Sequence, residues 1–290
     1  MLLVSIIIPV HQTVPFLKEC VASALAQTHT QIEVLLACNG GLTPEACERF
    51  LGVKDDRLQF ILCDSGRDRA RTHAMQHAQG TWLQFLDYDD VLYPKKIETQ
   101  LQNHSSNTLL ICGWKKFSKT LEEPYTFPFP HLFETTITTM PQLYEALSQG
   151  GFIATAAWLV PAQYAKDIVW EDVPNDDAVF LSELAQKELS LHLTPQSLVG
   201  VRVHAGNTSK IPSKKEFLKL LRGWRLIEKH LTKLPSAIRN RYLYTNYQYV
   251  LHRSKHLGRY QFFRVALCFV KLGLTTGKSF STIFKDLKNA

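Results

Sequence analysis

Phe85-Leu86-Asp87-Tyr88-Asp89-Asp90 joins the end of an apolar strand directly to three carboxylates. Trp82 to Leu86 reads as a buried strand, so the acids stand at its C-terminal end. In open α/β sheets that is where ligands bind, in the crevice beyond the strand ends. Crowded carboxylates repel one another, and a divalent cation is one way to keep them ionised. Mg2+ or Mn2+ held by one or two carboxylates and completed by phosphate oxygens suits such a cluster. The competing reading is a solvated acidic turn.

Working outward, short β-type runs alternate with helical patterns. Val4 to Val10 is a continuous apolar run, as in a strand covered on both faces. Phe16, Leu17, Cys20, Val21, Ala24 and Leu25 then share one helical face. Ile32 to Ala37 is a second strand, and Thr43-Pro44 caps and opens a helix reaching about Leu51. Leu58 to Leu62 is a third strand, followed by a helical pattern between Gly66 and Gly80. Pro94 to Leu101 predicts a helix leaving the acidic strand end. Between Phe117 and Met140, Pro124, Pro128 and Pro130 among aromatics predict irregular chain. Helical spacing resumes at Val179, Phe180, Leu184 and Leu189, and Leu198 to Val203 is a late strand. The alternation predicts an α/β fold on a largely parallel sheet.

The chain of 290 residues, 45% hydrophobic, suits one substantial domain with an appendage. Its six cysteines form no C-x-x-C pair, which argues against a zinc or redox centre and for reduced thiols in a cytoplasmic setting. Met1 to Val10 lacks the basic leader and cleavage site of a signal peptide and is expected to be a strand. Phe262 to Leu274, broken by Arg264 and Lys271, is too short for the roughly 20 residues of a spanning helix.

Charge divides the chain. Residues 211–290 hold 17 lysines and arginines against three acids, leaving residues 1–210 acidic overall. From about Ser213 the sequence looks helical, with basic residues among Phe217, Trp224, Tyr242, Tyr244, Tyr247, Tyr249, Tyr260, Phe262 and Phe263. Such a region suits either an anionic membrane surface or a helical bundle packed on protein. A basic, aromatic segment can also bind nucleic acid, but the acidic body argues against that.

The ordered run V-S-I-I-I-P-V-H from Val4, A-L-A-Q-T from Ala24, Q-I-E-V-L-L-A-C-N-G-G from Gln31 and R-A-R-T-H-A-M-Q-H-A-Q-G-T-W-L-Q-F-L-D-Y-D-D from Arg69 resembles glycosyltransferase family 2. The resemblance covers about residues 3–97. It implies a GT-A catalytic domain, Rossmann-like, over 1–210, with a helical C-terminal region over 211–290. It further implies an inverting, metal-dependent enzyme. Such an enzyme would transfer a hexosyl or N-acetylhexosaminyl group from a nucleotide diphosphate sugar to a hydroxyl of a glycan or glycolipid acceptor. A homologue that binds the donor without turning it over is the alternative.

By the same resemblance, Asp87-Tyr88-Asp89 corresponds to the D-x-D motif. Asp89 would ligate Mn2+ or Mg2+, and Asp87 would meet the ribose, or the metal through water. Pro9, His11, Asn39 and Arg71 fall at positions that line the nucleotide. Arg71 has a structural alternative as partner of the acidic cluster, and His11 has one as a surface residue. Asn39 stands where the family commonly has a carboxylate, but its amide oxygen can still accept from a uracil imide N–H. Downstream, Asp176-Asp177 lies ahead of Arg202-Val-His204-Ala-Gly-Asn-Thr-Ser209, a run that resembles a family motif. The family's acidic pair lies at a similar distance upstream of that run, so by the resemblance the 25 positions from Asp177 to Arg202 favour Asp177 over Asp172 as general base. Asp176 is then expected to cap the following helix, and His204 either completes the metal site or ends a strand.

Overall fold

The computed structural model describes residues 2–204, 213–254 and 258–289. Two compact units emerge from the packing. The first comprises residues 2–127, 153–172 and 187–204, and the second comprises 128–152, 173–186, 213–254 and 258–289. The 205–209 part of the downstream motif and the boundary expected at 210/211 lie outside the described residues.

In the first unit β1 (Val4–Val10) is buried along its whole length, because parallel neighbours flank it and helices cover its faces. Helix α1 (Pro15–Leu25) buries Leu17, Cys20, Val21 and Ala24, the periodic face expected of it. Strand β2 (Ile32–Cys38) precedes α2 (Pro44–Leu51), whose Thr43 side chain accepts from the Ala46 amide and whose C-terminus turns at Gly52. Such a cap is worth about 1 kcal/mol. Strand β3 (Leu58–Leu62), α3 (Arg67–His77) and β4 (Trp82–Phe85) complete the half expected from the sequence.

Beyond the acidic turn come β5 (Val91–Leu92), α4 (Lys96–Leu101) and β6 (Thr108–Phe117). Strand β6 has no counterpart in the sequence reading. In the second unit α5 (Met140–Leu147) follows the proline-rich stretch, whose one regular piece is a short turn of helix at Pro130–Leu132. The first unit resumes with β7 (Trp158–Pro161) and α6 (Ala162–Ala165). Helix α7 (Asp176–Leu184) belongs to the second unit, and β8 (Ser190–Arg202) closes the first.

The eight strands form one sheet in the order β3-β2-β1-β4-β7-β6-β8-β5. The β3-β2-β1-β4 half is parallel, β6 and β8 are parallel to each other, and β7 and β5 join antiparallel. Chain order reverses between β1 and β4, the switch point at which such sheets open a crevice. Strand β8 is much longer than the six residues expected, because Pro195 and Gln196 form a bulge where the register with β6 shifts. Gly113 sits opposite that bulge, where a Cβ would lie 2.6 Å from the Pro195 carbonyl oxygen.

The second unit is helical. Besides α5 and α7 it contains α8 (Lys214–His230), α9 (Ser236–Ser254), α10 (Arg259–Thr275) and α11 (Phe280–Asn289). Six of the aromatics from the basic region point inward: Phe217, Trp224, Tyr242, Tyr244, Tyr247 and Phe269 are buried. Tyr242 packs edge-on to Tyr144 at 4.9 Å, and Tyr244 stacks on Phe269 at 4.4 Å while its hydroxyl donates to Asp286 at 2.7 Å. Among the described residues no helix is long and apolar enough to cross a membrane.

Candidate active site

At the switch point the backbone sets out the parts first. Ile7 of β1 pairs with Phe85 of β4, and the Leu86 amide donates to the Ile7 carbonyl, so the chain leaves β4 into the acidic turn beside the end of β1. On the other side Pro9 pairs with Ala37 of β2, and the Asn39 amide donates to the Val10 carbonyl at 2.8 Å. Gly40 and Gly41 then take left-handed φ values of 64° and 91°, which lets the chain turn sharply away from the strand ends. Pro9, His11, Asn39 and Asp87 are thereby gathered at one edge of the sheet.

Asn39 is buried, and its Nδ2 donates to the carbonyl oxygens of Val10 at 3.1 Å and Ala37 at 3.3 Å. Two carbonyl neighbours require the nitrogen on that side. The amide is therefore oriented, with Oδ1 turned away as a neutral acceptor. His11 is exposed and meets the ring of Tyr88 edge-on at 5.2 Å, while Gln12 donates to the Tyr88 hydroxyl at 2.8 Å. Tyr88 and Gln12 were not anticipated, because side chains in the middle of a motif carry no periodic signal.

The three carboxylates of the turn have different fates. Asp87 accepts a hydrogen bond from Arg71, which is itself buried in α3. Burial works against charge on Asp87, but Arg71 and then Arg67 outweigh it and hold its carboxyl below the ordinary range. Asp89 Oδ2 lies 2.8 Å from His204 Nε2. Burial and the charge of Asp87 raise its carboxyl, against the pull of the histidine. Asp90 is buried and accepts the Arg202 amide at 2.9 Å. Burial and its two acidic neighbours push Asp90 well up, so it is a structural group tying the turn to β8.

Aromatic rings hold the two arginines. The Arg71 guanidinium lies 4.4 Å from the centre of the Trp170 ring, which meets Phe85 edge-on at 5.0 Å. Arg202 is held between Phe16 at 4.5 Å and Phe117 at 4.3 Å, bonds Glu19, and donates to the Asp89 carbonyl oxygen at 3.0 Å. Trp170 lies 99 positions from Arg71, and nothing local in the sequence marks the pair.

Among the described residues no group of three or more histidines, cysteines or acids is arranged to enclose a metal ion. Asp89 and His204 nevertheless fit a divalent cation. They form a carboxylate–imidazole pair whose carboxyl is raised by burial and by the neighbouring Asp87, and phosphate oxygens and water would supply the remaining positions.

Asp177 stands in the second unit, in the first turn of α7. The cap position falls to Asn175, one residue before the expected Asp176, and its side chain makes no cap bond. Asp176 Oδ1 instead accepts the Asp177 amide at 3.0 Å, and Asp177 Oδ1 accepts the Ala178 amide at 2.7 Å. Both carboxylates thus face the positive end of the helix dipole.

Comparison with known proteins gives a consistent result. An uncharacterized glycosyltransferase of Rickettsia bellii is 26% identical over 217 residues, covering 72% of this chain and 31% of its own length. The uncharacterized glycosyltransferase EpsJ of Bacillus subtilis is 32% identical over 150 residues, covering 50% of this chain and 42% of its own. This chain thus spans about a third to two fifths of the length of these relatives. In fold it is similar to S. aureus TarS, crystallised in complex with UDP-GlcNAc, with a TM-score of 0.70 at 14% identity over 93% of this chain and 81% of that one. The model of glycosyl transferase family 2 matches residues 5–159, more than half of the chain. That match takes in the strand ends carrying Pro9, Asn39 and Asp87 and the helix carrying Arg71, and by it the chain belongs to glycosyl transferase family 2.

Proposed function

We propose that this chain is an inverting glycosyltransferase that takes a sugar from a nucleoside diphosphate sugar, with uridine as the base, and passes it to an acceptor hydroxyl. The observation that carries the reading is the Arg71–Asp87 and Asp89–His204 arrangement at the switch point between β1 and β4. The UDP-GlcNAc complex of the structurally similar TarS supports a uridine donor and an N-acetylhexosaminyl or hexosyl group.

In this reading the outward Oδ1 of Asn39 accepts the imide N–H of uracil, and Pro9 and His11 border the base. Asp87, kept ionised by Arg71, accepts from the ribose hydroxyls. Asp89 and His204 are the residues that would hold Mn2+ or Mg2+, which when bound neutralises charge on the departing diphosphate. Asp177 takes the acceptor's hydroxyl proton as its oxygen attacks the anomeric carbon, a role that rests on the spacing from Asp177 to Arg202. The acceptor class is a glycan or glycolipid precursor of the cell surface, and the setting is the cytoplasm.

Calorimetry with UDP, together with transfer assays, tests these assignments. UDP is expected to bind the wild type at least about tenfold more tightly with Mn2+ than with EDTA, because cation and phosphates complete one another's coordination. Asp89→Asn is expected to lose that difference. Asp177→Asn is expected to keep it while sugar transfer falls by about 10²- to 10⁴-fold, the range of a lost general base. Undiminished binding in chelator overturns the metal assignment. Loss of transfer in Asp172→Asn but not Asp177→Asn overturns the choice of base.

A further inference from the structure

Helix α10 has two apolar faces. Val265, Ala266 and Phe269 are buried on one side, where α10 packs against α9. A helix so placed normally turns polar side chains to solvent on the opposite face. Here Tyr260, Phe263, Leu267 and Leu274 recur at three-, four- and seven-residue spacing, which places them together on that opposite face. Tyr260 is 69%, Phe263 62% and Leu267 72% exposed. Helix α11 repeats the pattern: Ile283 is buried, while Phe280 and Phe284, one turn apart, are 64% and 57% exposed. Scattered exposed leucines need no explanation, but two adjoining helices that each present an apolar stripe do.

The charge around these stripes selects the occupant. Residues 258–289 contain six lysines and arginines and one acid, Asp286. That acid is already bonded to Tyr244 and paired with Lys278 at 3.2 Å. A second copy would bring the same cationic surface against itself, and like charges brought together repel. An anionic lipid surface complements both features, with acyl chains for the rings and headgroups for the lysines. We propose that the outer faces of α10 and α11 form a membrane-surface site. There Tyr260, Phe263, Leu267, Phe280 and Phe284 enter the interface of an anionic bilayer, with Lys271, Lys285 and Lys288 at the headgroups. This site is independent of the donor-binding assignments.

The test is co-sedimentation of the full chain with phosphatidylcholine vesicles, with and without phosphatidylglycerol. The wild type is expected to bind the anionic vesicles and to be released by salt. The double substitution Phe263→Ser and Leu267→Ser is expected to weaken binding at least about tenfold, as is Phe280→Ser with Phe284→Ser, since each pair removes buried apolar area. Circular dichroism and UDP calorimetry without lipid establish that the variants are folded, and that calorimetry reports on the donor site separately. Equal sedimentation of wild type and folded variants overturns the proposal, as does equal binding to neutral vesicles. A lipid-free dimer that the same substitutions dissolve overturns it too, since a second copy then covers this face.

Discussion

Two cations are buried on either side of β4, and they behave in opposite ways. Arg71, at the open end of the strand, has a carboxylate partner in Asp87 and an aromatic face in Trp170. Lys96, beneath the strand and fully buried, donates to Gln84 Oε1 and, at 2.9 Å, to the Trp158 carbonyl oxygen, both neutral. Burial lowers the Lys96 ammonium from 10.5 to about 7. A guanidinium stays charged wherever it is placed, whereas an ammonium in a dry interior gives up its proton. A permanent charge therefore stands beside the acidic turn at the end of β4, and a titratable one serves as a polar strut joining β4 to β7.

Breaking the first pair is expected to have the largest effect. Arg71→Met leaves Asp87 without its nearest counter-charge and is expected to cost about 3 kcal/mol of stability, as when one member of a buried pair is removed. Urea denaturation measures the stability, and calorimetry should show UDP affinity falling as well. An unchanged midpoint and affinity would mean that Arg71 only fills space.

The second cation predicts a dependence on pH. The folded state holds Lys96 near pKa 7 while the unfolded chain binds that proton up to about 10.4, so between these values the unfolded state carries the extra proton. Stability from this group rises with pH across the window, by at most about 1.4 kcal/mol per unit, and is lost again as pH falls toward 7. The stability difference between wild type and Lys96→Met, followed from pH 7 to 9, should drift toward the wild type. A flat difference would show that Lys96 keeps its charge.

The smallest effect belongs to Gln100 in the same interior. Its Nε2 donates to the Ala157 carbonyl at 3.1 Å, but its buried Oε1 accepts nothing. Gln100→Met exchanges one hydrogen bond for relief of one unsatisfied oxygen and is expected to change stability by less than about 1 kcal/mol. A larger loss by denaturant titration would show that the layer beneath β4 works as one network.

These contrasts show what a sequence discloses. Val4–Val10 and Leu58–Leu62 were legible to the residue, because an apolar run bounded by turn residues has few alternatives. Strand β6 was not, since Gly113 and Lys115-Lys116 interrupt its apolar half at the very bulge that only β8 explains. The acids at the end of β4 were legible, but the anchoring of their turn was not. It depends on Trp170, Phe16, Glu19 and Arg202, which reach the turn from distant segments. The aromatics of the C-terminal region were legible as a class, yet six are core and others surface, a distinction set by packing between helices.

The bond from Asp89 to His204 spans 115 positions, and that from Glu19 to Arg202 spans 183. On the ribosome the acidic turn therefore emerges well before the chain that holds it. At about 5–20 residues per second, some 6–23 seconds pass before residue 204 is even synthesised. In that interval Asp89 has no His204 to bond and Asp90 no Arg202 amide to accept, so the turn lacks the partners that hold it. The arrangement of the turn is thus completed late, by the arrival of β8.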